Sequence, residues 1–509
     1  MPARTIKKIL QARVYDVAQQ TPIDRARSLS RRLDNDVWLK REDLQSVFSF
    51  KIRGAYNKIV NLTDDEKARG VICASAGNHA QGVALAANRL GIKATIVMPQ
   101  TTPEIKVSAV RNLGGKVVLH GDAFDEAAVH ARELMEKHGF CFVHPYDDTD
   151  VIAGQGTIGM EILRQHTDPL HAIFVPVGGG GLIAGVATYI KYLRPDIKII
   201  GVEPDDAACL KAAMDAGRRV ILPQVGLFAD GVAVAQIGKE TFRLARKFVD
   251  DVITVTTDEI CAAIKDLFDD TRAINEPAGA LAVAGLKKYV ASSGVKNENL
   301  MAICSGANVN FDRLRHIAER SEIGENRESV FAVTIPEQPG SFRKFCQALG
   351  KRSITEFNYR YASASRAHVY VGIQTGGLQQ RKDIATLLED KGYEVEDLSS
   401  NEMAKLHIRH LVGGHGPSNG NGQGIPDEVL YRFEFPERPG ALMEFLLKLG
   451  ERWNISLFHY RNHGAAFGRI LVGLQVPPKD RATLRRYFKE LGYWHMDETE
   501  NPAYHLFLK

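Results

Sequence analysis

Up to about residue 325, short apolar runs rich in β-branched residues alternate with longer stretches whose apolar positions recur at helical spacing. The runs Gly70–Cys73, Ala94–Met98, Lys116–His120, Ile173–Val177, Ile197–Val202, Asp251–Val255 and Met301–Cys304 predict strands. Between them, segments such as GNHAQGVALAA (Gly77–Ala87) carry the small and apolar residues of a helix packed on a sheet. Strand, helix, strand in that order predicts a mostly parallel sheet covered on both faces. The uncharged stretch Ala172–Ile190 is long enough to span a bilayer. Pro176 and Gly178–Gly181 interrupt it, so it predicts a buried strand, a loop and a helix start.

Beyond residue 325 the pattern changes and then repeats. ESVFAVTIPEQPG (Glu328–Gly340) is echoed one hundred positions later by YRFEFPERPG (Tyr431–Gly440). A helix follows each Pro-Gly, with apolar residues at i, i+3, i+4 and i+7: Phe342, Phe345, Cys346 and Leu349, then Leu442, Phe445, Leu446 and Leu449. Gly350 and Gly450 stand where a C-cap is expected. Tyr359-Arg360 is matched by Tyr460-Arg461, and VGIQ (Val371–Gln374) by VGLQ (Val472–Gln475). This is a duplicated β-α-β-β-α-β unit. The chain therefore divides into an α/β domain over 1–325, with a smaller subdomain over about 41–150, and two small α+β units over 326–412 and 427–509. A glycine-rich linker, 413–426, joins the two units.

Composition removes several alternatives. Lys+Arg 65 against Asp+Glu 61 leaves a net charge of +4, too even for a nucleic-acid-binding surface. Hydrophobic residues at 44% and charged residues at 25% fit a globular protein with a large core and no membrane segment. The six cysteines are far apart and include no CxxC pair, which fits a reducing cytoplasm rather than a disulfide framework or a zinc site. The opening residues lack the apolar core of a secretion signal, and a cytoplasmic location is expected.

Four motifs carry chemistry. Gly178–Gly181 follows an apolar run and precedes LIAGVA, an arrangement that aims several backbone N–H groups at one anion. The patterns GxGxxG and GxxxxGK[ST] are absent, which favours a small phosphate ester over a nucleotide. In SFKIRGA (Ser49–Ala55) a lysine sits among apolar residues, where its amine would have a lowered pKa and could form an imine. SAGNHA (Ser75–Ala80) opens a helix after a strand, with Asn78 able to donate to a phenolate-like oxygen. CSGAN (Cys304–Asn308) places the Ser305 hydroxyl at the carboxyl end of a strand. Taken alone, each has a plainer reading as a solvated lysine, a tight turn or a capped loop. Together they describe a site for pyridoxal 5′-phosphate.

With these four motifs in this order, the chain resembles the serine/threonine dehydratases, which are fold type II (tryptophan synthase β-like) pyridoxal phosphate enzymes. With the duplicated C-terminal unit it resembles their biosynthetic, regulated branch, which carries two ACT-like subdomains. The resemblance implies that Lys51 holds the cofactor as a Schiff base, Asn78 bonds its ring 3′-oxygen, Gly178, Gly179, Gly180, Gly181 and Leu182 bind its phosphate, and Ser305 faces its ring nitrogen. Ser75, Ala76, Gly77 and Asn78 would take the substrate carboxylate. The implied activity is that of a threonine ammonia-lyase, converting L-threonine, and also L-serine, to a 2-oxoacid and ammonia. For threonine the product is 2-oxobutanoate, at the first step of isoleucine biosynthesis. The implied regulation is inhibition by isoleucine opposed by valine, in a homotetramer. Phe357, Tyr359, Arg360, Tyr460 and Arg461 are the candidate effector contacts, with subdomain packing as the competing reading. A serine-directed dehydratase or racemase, or a sensor without catalysis, are the rival functions. Relatives carry a cation site after a strand resembling the one that ends near Val202; here Glu203 is retained but Cys209 replaces an oxygen ligand, so no metal is expected.

Overall fold

The computed structural model describes residues 2–122, 124–311, 313–350, 352–361, 365–406, 408–410, 425–436, 443, 445–447, 452–461, 467–502, 504 and 508. Most of the expected linker lies outside them. The chain divides into two compact units, Met1–Ser321 and Glu322–Lys509.

In the first unit the alternating runs form two sheets. Six strands lie in the order Ile23–Arg25, Asp36–Arg41, Asn299–Cys304, Ala172–Pro176, Lys198–Pro204 and Asp251–Val255. All neighbours are parallel except the first pair. A smaller parallel sheet has the order Lys116–Leu119, Ala94–Met98, Val71–Ala74 and Cys141–Phe142. Helical crossovers connect the parallel strands, as that geometry demands. All seven expected strands are present, two with the expected ends and the others shifted by at most two residues.

Three strands are not foreseen from the pattern: Ile23–Arg25, Asp36–Arg41 and Cys141–Phe142. Asp36–Arg41 hides because Lys40 and Arg41 interrupt its apolar residues, and a fully buried lysine reads as a surface position. The fold supplies its partners: Lys40 Nζ donates to Thr21 O and Glu161 at 2.6 Å each and to Gln165 at 2.9 Å. Glu161 and Glu42 also clasp the buried Arg53, at 2.6 and 2.8 Å. This closed set of charges ties helix Lys51–Val60 to helix Thr149–Gln165 and to the residues that follow strand Asp36–Arg41. The two helices touch so closely that a Cβ on Gly154 would lie 2.6 Å from Arg53 O.

The second unit is one antiparallel sheet of eight strands made from the two copies. The first copy runs strand Glu328–Pro336, helix Ser341–Leu349, strands Ile354–Arg360 and Arg366–Gln374, helix Leu378–Asp390 and strand Glu394–Asp397. The second repeats its strands as Glu428–Pro436, Asn454–Arg461, Phe467–Gln475 and Trp494–Asp497. The copies join edge to edge, with Ile354–Arg360 antiparallel to Asn454–Arg461 and Phe357 opposite Tyr460. Phe342, Phe345 and Cys346 are buried as their spacing predicts, and so are Phe445 and Leu446. Leu442, Leu449 and Gly450 fall outside the described residues.

Candidate active site

Strand Ala172–Pro176 runs through Val177 into the glycine run, and helix Gly181–Leu193 starts on its last member. A Cβ would lie 2.9 Å from Val232 Cα at Gly178, and 2.6 Å from Ile237 Cδ1 at Gly180, where φ is +89°. At Gly179 it would collide with the Tyr146 ring. The loop carbonyls are used by the protein: Gly179 O accepts from Thr241 Oγ1 at 2.8 Å and Gly238 N at 3.3 Å, and Gly178 O from Cys209 Sγ at 3.4 Å. No acceptor among the described residues faces the N–H groups of Gly178–Gly181. Consecutive unmatched N–H groups at a helix start form an anion cradle.

Lys51 is the first residue of helix Lys51–Val60, and its position depends on a distant segment. Phe50 N donates to Ser305 O at 3.2 Å, Ala307 N donates to Phe48 O at 2.9 Å, and Ser49 bridges Gly306. Phe48 adopts φ +53°, a left-handed conformation unusual for a bulky side chain, in the turn that precedes the lysine. The Lys51 amine donates to Pro145 O at 3.0 Å and lines one pocket with Asn78, Tyr146, the glycine run, Leu182, Glu276 and Ser305. Burial drives its pKa down to about 8, partly opposed by the negative charge of Glu276.

Asn78 opens helix Asn78–Arg89 and donates to Glu276 Oε1 at 2.6 Å. Ser305 is buried and donates to Ala278 O at 3.2 Å. Thus Lys51, Asn78, Gly178–Gly181, Leu182 and Ser305 meet in one pocket. Ser75, Ala76 and Gly77 do not line it; they occupy the turn between strand Val71–Ala74 and Asn78, half-buried, with Gly77 N donating to Ser75 Oγ at 3.3 Å. Neighbouring His79 is buried and held neutral by burial, its pKa pushed down to about 3, with its ring 2.8 Å from Val143 O.

Tyr146 and Glu276 are among the pocket residues that carry no signal in the motifs. Tyr146 sits in an unremarkable loop, and Glu276 precedes a helix whose first residue is Pro277, so it reads as an ordinary N-cap. Both enter the pocket only through folding. Glu276 is pushed up to about 7, first by burial and then by Asp230.

Glu203 accepts from the N–H groups of Leu210 and Lys211 at 2.7 and 2.8 Å, at the start of helix Cys209–Ala216. Its carboxylate therefore serves as a helix anchor. The described residues contain no cluster of metal-ligating side chains, and no helix among them is long and apolar enough to cross a membrane.

In the second unit, the candidate effector residues lie along the seam between the copies. Phe357 is buried beside Phe458, with ring centroids 5.3 Å apart, and Tyr460 is buried opposite it. Tyr359 donates to Glu337, while Arg360 pairs with Glu428 at 2.6 Å. The Arg461 side chain lies outside the described residues.

Residues 14–306 match the family described as pyridoxal-phosphate dependent enzyme. Residues 319–408 and 419–508 each match the C-terminal regulatory domain of threonine dehydratase. The chain is 57% identical over 506 residues to the biosynthetic L-threonine dehydratase of Burkholderia multivorans, covering 99% of both chains. It is 56% identical to that of Escherichia coli over 507 residues, covering 99% of this chain and 97% of the other. Among solved structures, the processed form of threonine deaminase isoform 2 from Solanum lycopersicum superposes with TM-score 0.62 at 53% identity, over 63% of this chain and 88% of that one. Maize serine racemase superposes with TM-score 0.58 at 33% identity, over 61% and 95%.

Proposed function

Since the chain belongs to the threonine dehydratases, pyridoxal-phosphate-dependent lyases with a C-terminal regulatory domain, we propose that Lys51, Asn78, Gly178–Gly181, Leu182 and Ser305 are the residues through which it works. The reaction is L-threonine to 2-oxobutanoate and ammonia, an elimination of water from the α- and β-carbons followed by hydrolysis, with no net oxidation. L-serine, with the same β-hydroxyl and one carbon fewer, is the second substrate. When bound, pyridoxal phosphate supplies the sink for the electron pair left at the substrate α-carbon.

The chain's own groups do the rest. The N–H groups of Gly178–Gly181 and the helix start at Leu182 hold the phosphate, and the absence of Cβ atoms lets the anion approach the backbone. Asn78 donates to the ring oxygen. Ser305 would offer the ring nitrogen a neutral hydroxyl, its one hydrogen turned there from Ala278 O, a partner that does not hold that nitrogen protonated and so favours elimination over transamination. Residues 75–78 receive the substrate carboxylate. Lys51 carries the cofactor through its amine and, once freed, takes the α-proton on Nζ and returns a proton to the departing β-oxygen. A pKa of about 8 instead of 10.5 raises the free-amine fraction near neutrality by about two orders of magnitude.

The half-buried Lys51 amine, its pKa lowered, in the pocket of the unmatched glycine N–H groups is the observation that carries this reading. Lys51→Ala is expected to lower threonine turnover by roughly 10²–10⁴-fold, read as 2-oxobutanoate formed by purified protein supplied with pyridoxal phosphate. Turnover at the wild-type rate would overturn the assignment.

Regulation belongs to the second unit. Isoleucine as inhibitor and valine as its opponent would act by differing affinity for two arrangements of the seam strands, with about 1–3 kcal/mol of coupling. Tyr359 and Arg360 are the polar seam residues best suited to respond, while Phe357 and Tyr460 form its apolar packing. A homotetramer in the cytoplasm completes the proposal. Threonine and serine assays with and without each effector test it.

A further inference from the structure

Asn78 is held at both ends of its side-chain amide. Its Nδ2 donates to Glu276 Oε1 at 2.6 Å, and its Oδ1 accepts from Asn308 Nδ2 at 2.7 Å. Asn308 is itself fixed, because the same Nδ2 gives its second hydrogen to Val47 O at 2.8 Å. Rotating the Asn308 amide would set its oxygen against two acceptors. Rotating the Asn78 amide would set oxygen against Glu276 and nitrogen against the Asn308 donor. Glu276 is hemmed in turn: a Cβ on Gly306 would come within 2.6 Å of its Oε1. A side-chain amide has two N–H bonds. One on Asn78 is used by Glu276, which leaves a single donor on the pocket-lining amide.

We propose that Asn308 and Glu276 are positioning residues that lock the Asn78 amide in one orientation, so that its one remaining N–H is presented to the ring oxygen of pyridoxal phosphate. The proposal rests on the pocket being the cofactor site. Neither residue touches the reacting atoms in this account, and both act through Asn78. The lock joins four separate segments of the chain: the residues before Lys51, the helix start at Asn78, Glu276 ahead of helix Pro277–Ser293, and the neighbourhood of Ser305. One hydrogen-bond chain therefore sets the cofactor oxygen relative to both the amine and the hydroxyl.

Charges facing Glu276 set how firmly it accepts. Lys51 lies across the pocket and favours the carboxylate, while Asp230 opposes it. Lys106 and Arg313 lie 2.8 and 3.5 Å from Asp230 and soften that opposition. Glu276→Gln still offers Asn78 an oxygen without the charge, whereas Glu276→Leu offers nothing.

The test uses full-length protein titrated with pyridoxal phosphate, reading the absorbance maximum of the bound cofactor and its dissociation constant. Asn308→Asp, which replaces the donor by an acceptor, and Asn308→Ala are both expected to shift the maximum and to weaken cofactor binding about five- to tenfold. Glu276→Leu is expected to do the same, and Glu276→Gln to retain the wild-type maximum. In an Asn78→Ala background the Asn308 substitutions are expected to add nothing, because their effect runs through the missing amide. A wild-type maximum with affinity within about twofold in both Asn308 variants would overturn the lock. So would an Asn308 effect that persists undiminished without Asn78, which would mark a purely structural role. Failure of the wild-type chain to bind pyridoxal phosphate at all would instead overturn the reading of the pocket.

Discussion

A methyl group added at Gly179 has no room, since the Tyr146 ring lies where its Cβ would go. The ring presses on the cradle from the loop whose Pro145 carbonyl receives the Lys51 amine. Gly179→Ala should therefore disturb both halves of the site, costing about 1–3 kcal/mol of stability through overpacking and weakening pyridoxal phosphate binding. Denaturant unfolding and a cofactor titration read the two effects separately. Glu203 shows a different kind of sensitivity. Burial raises its carboxyl from 4.5 to about 7 although two backbone N–H groups favour the charged form. The folded state holds this proton more tightly than the unfolded chain does, so stability from this group is full below pH 4.5 and falls as pH rises toward 7. Over that window the loss is roughly 3 kcal/mol. Glu203→Gln removes the titration, and its stability deficit relative to wild type should shrink as pH is raised across the same interval, as measured by urea unfolding.

Among the elements, helix Lys51–Val60 owes its placement to Arg53 rather than to its own pattern. SFKIRGA is readable as a lysine site, yet its arginine gives no hint of being fully buried between Glu42 and Glu161. The partners lie 11 and 108 residues away, and a window of seven residues contains neither. Arg53→Met leaves two carboxylates short of a counter-ion, and the expected loss is about 3–5 kcal/mol in equilibrium unfolding. Strand Asp36–Arg41 was hidden for the same reason, since Lys40 is buried only by virtue of this network. The strand before the glycine run was readable, because its apolar residues are covered by neighbours on both faces and need no polar partner. The second unit was readable by repetition. Two copies of a pattern mark the same caps and core positions twice, although pairing through Ile354–Arg360 and Asn454–Arg461 is a property of edges that no periodicity records.

The molecule as a whole separates catalysis from control along the chain. The pocket is made entirely from residues of the first unit, and the matched regulatory segments lie beyond it. Removing the residues after about 325 should leave a threonine dehydratase of near-normal turnover that isoleucine no longer inhibits, measured as 2-oxobutanoate formation across an isoleucine titration. Inhibition retained by the shortened protein would count against control by the second unit.

The features that could be read directly from the chain are those encoded within a few consecutive residues. The glycine run at 178–181, the lysine at 51, the helix start at Asn78 and the duplicated unit are of this kind, because turn geometry, backbone N–H direction and apolar periodicity are local. Folding alone set how far the Lys51 pKa falls, raised the pKa of Glu276 and held the Asn78 amide at both ends. These depend on desolvation and on hydrogen bonds between residues 198 and 230 positions apart. Loss of water around a charged group is a property of everything packed against it, and no local pattern contains that information.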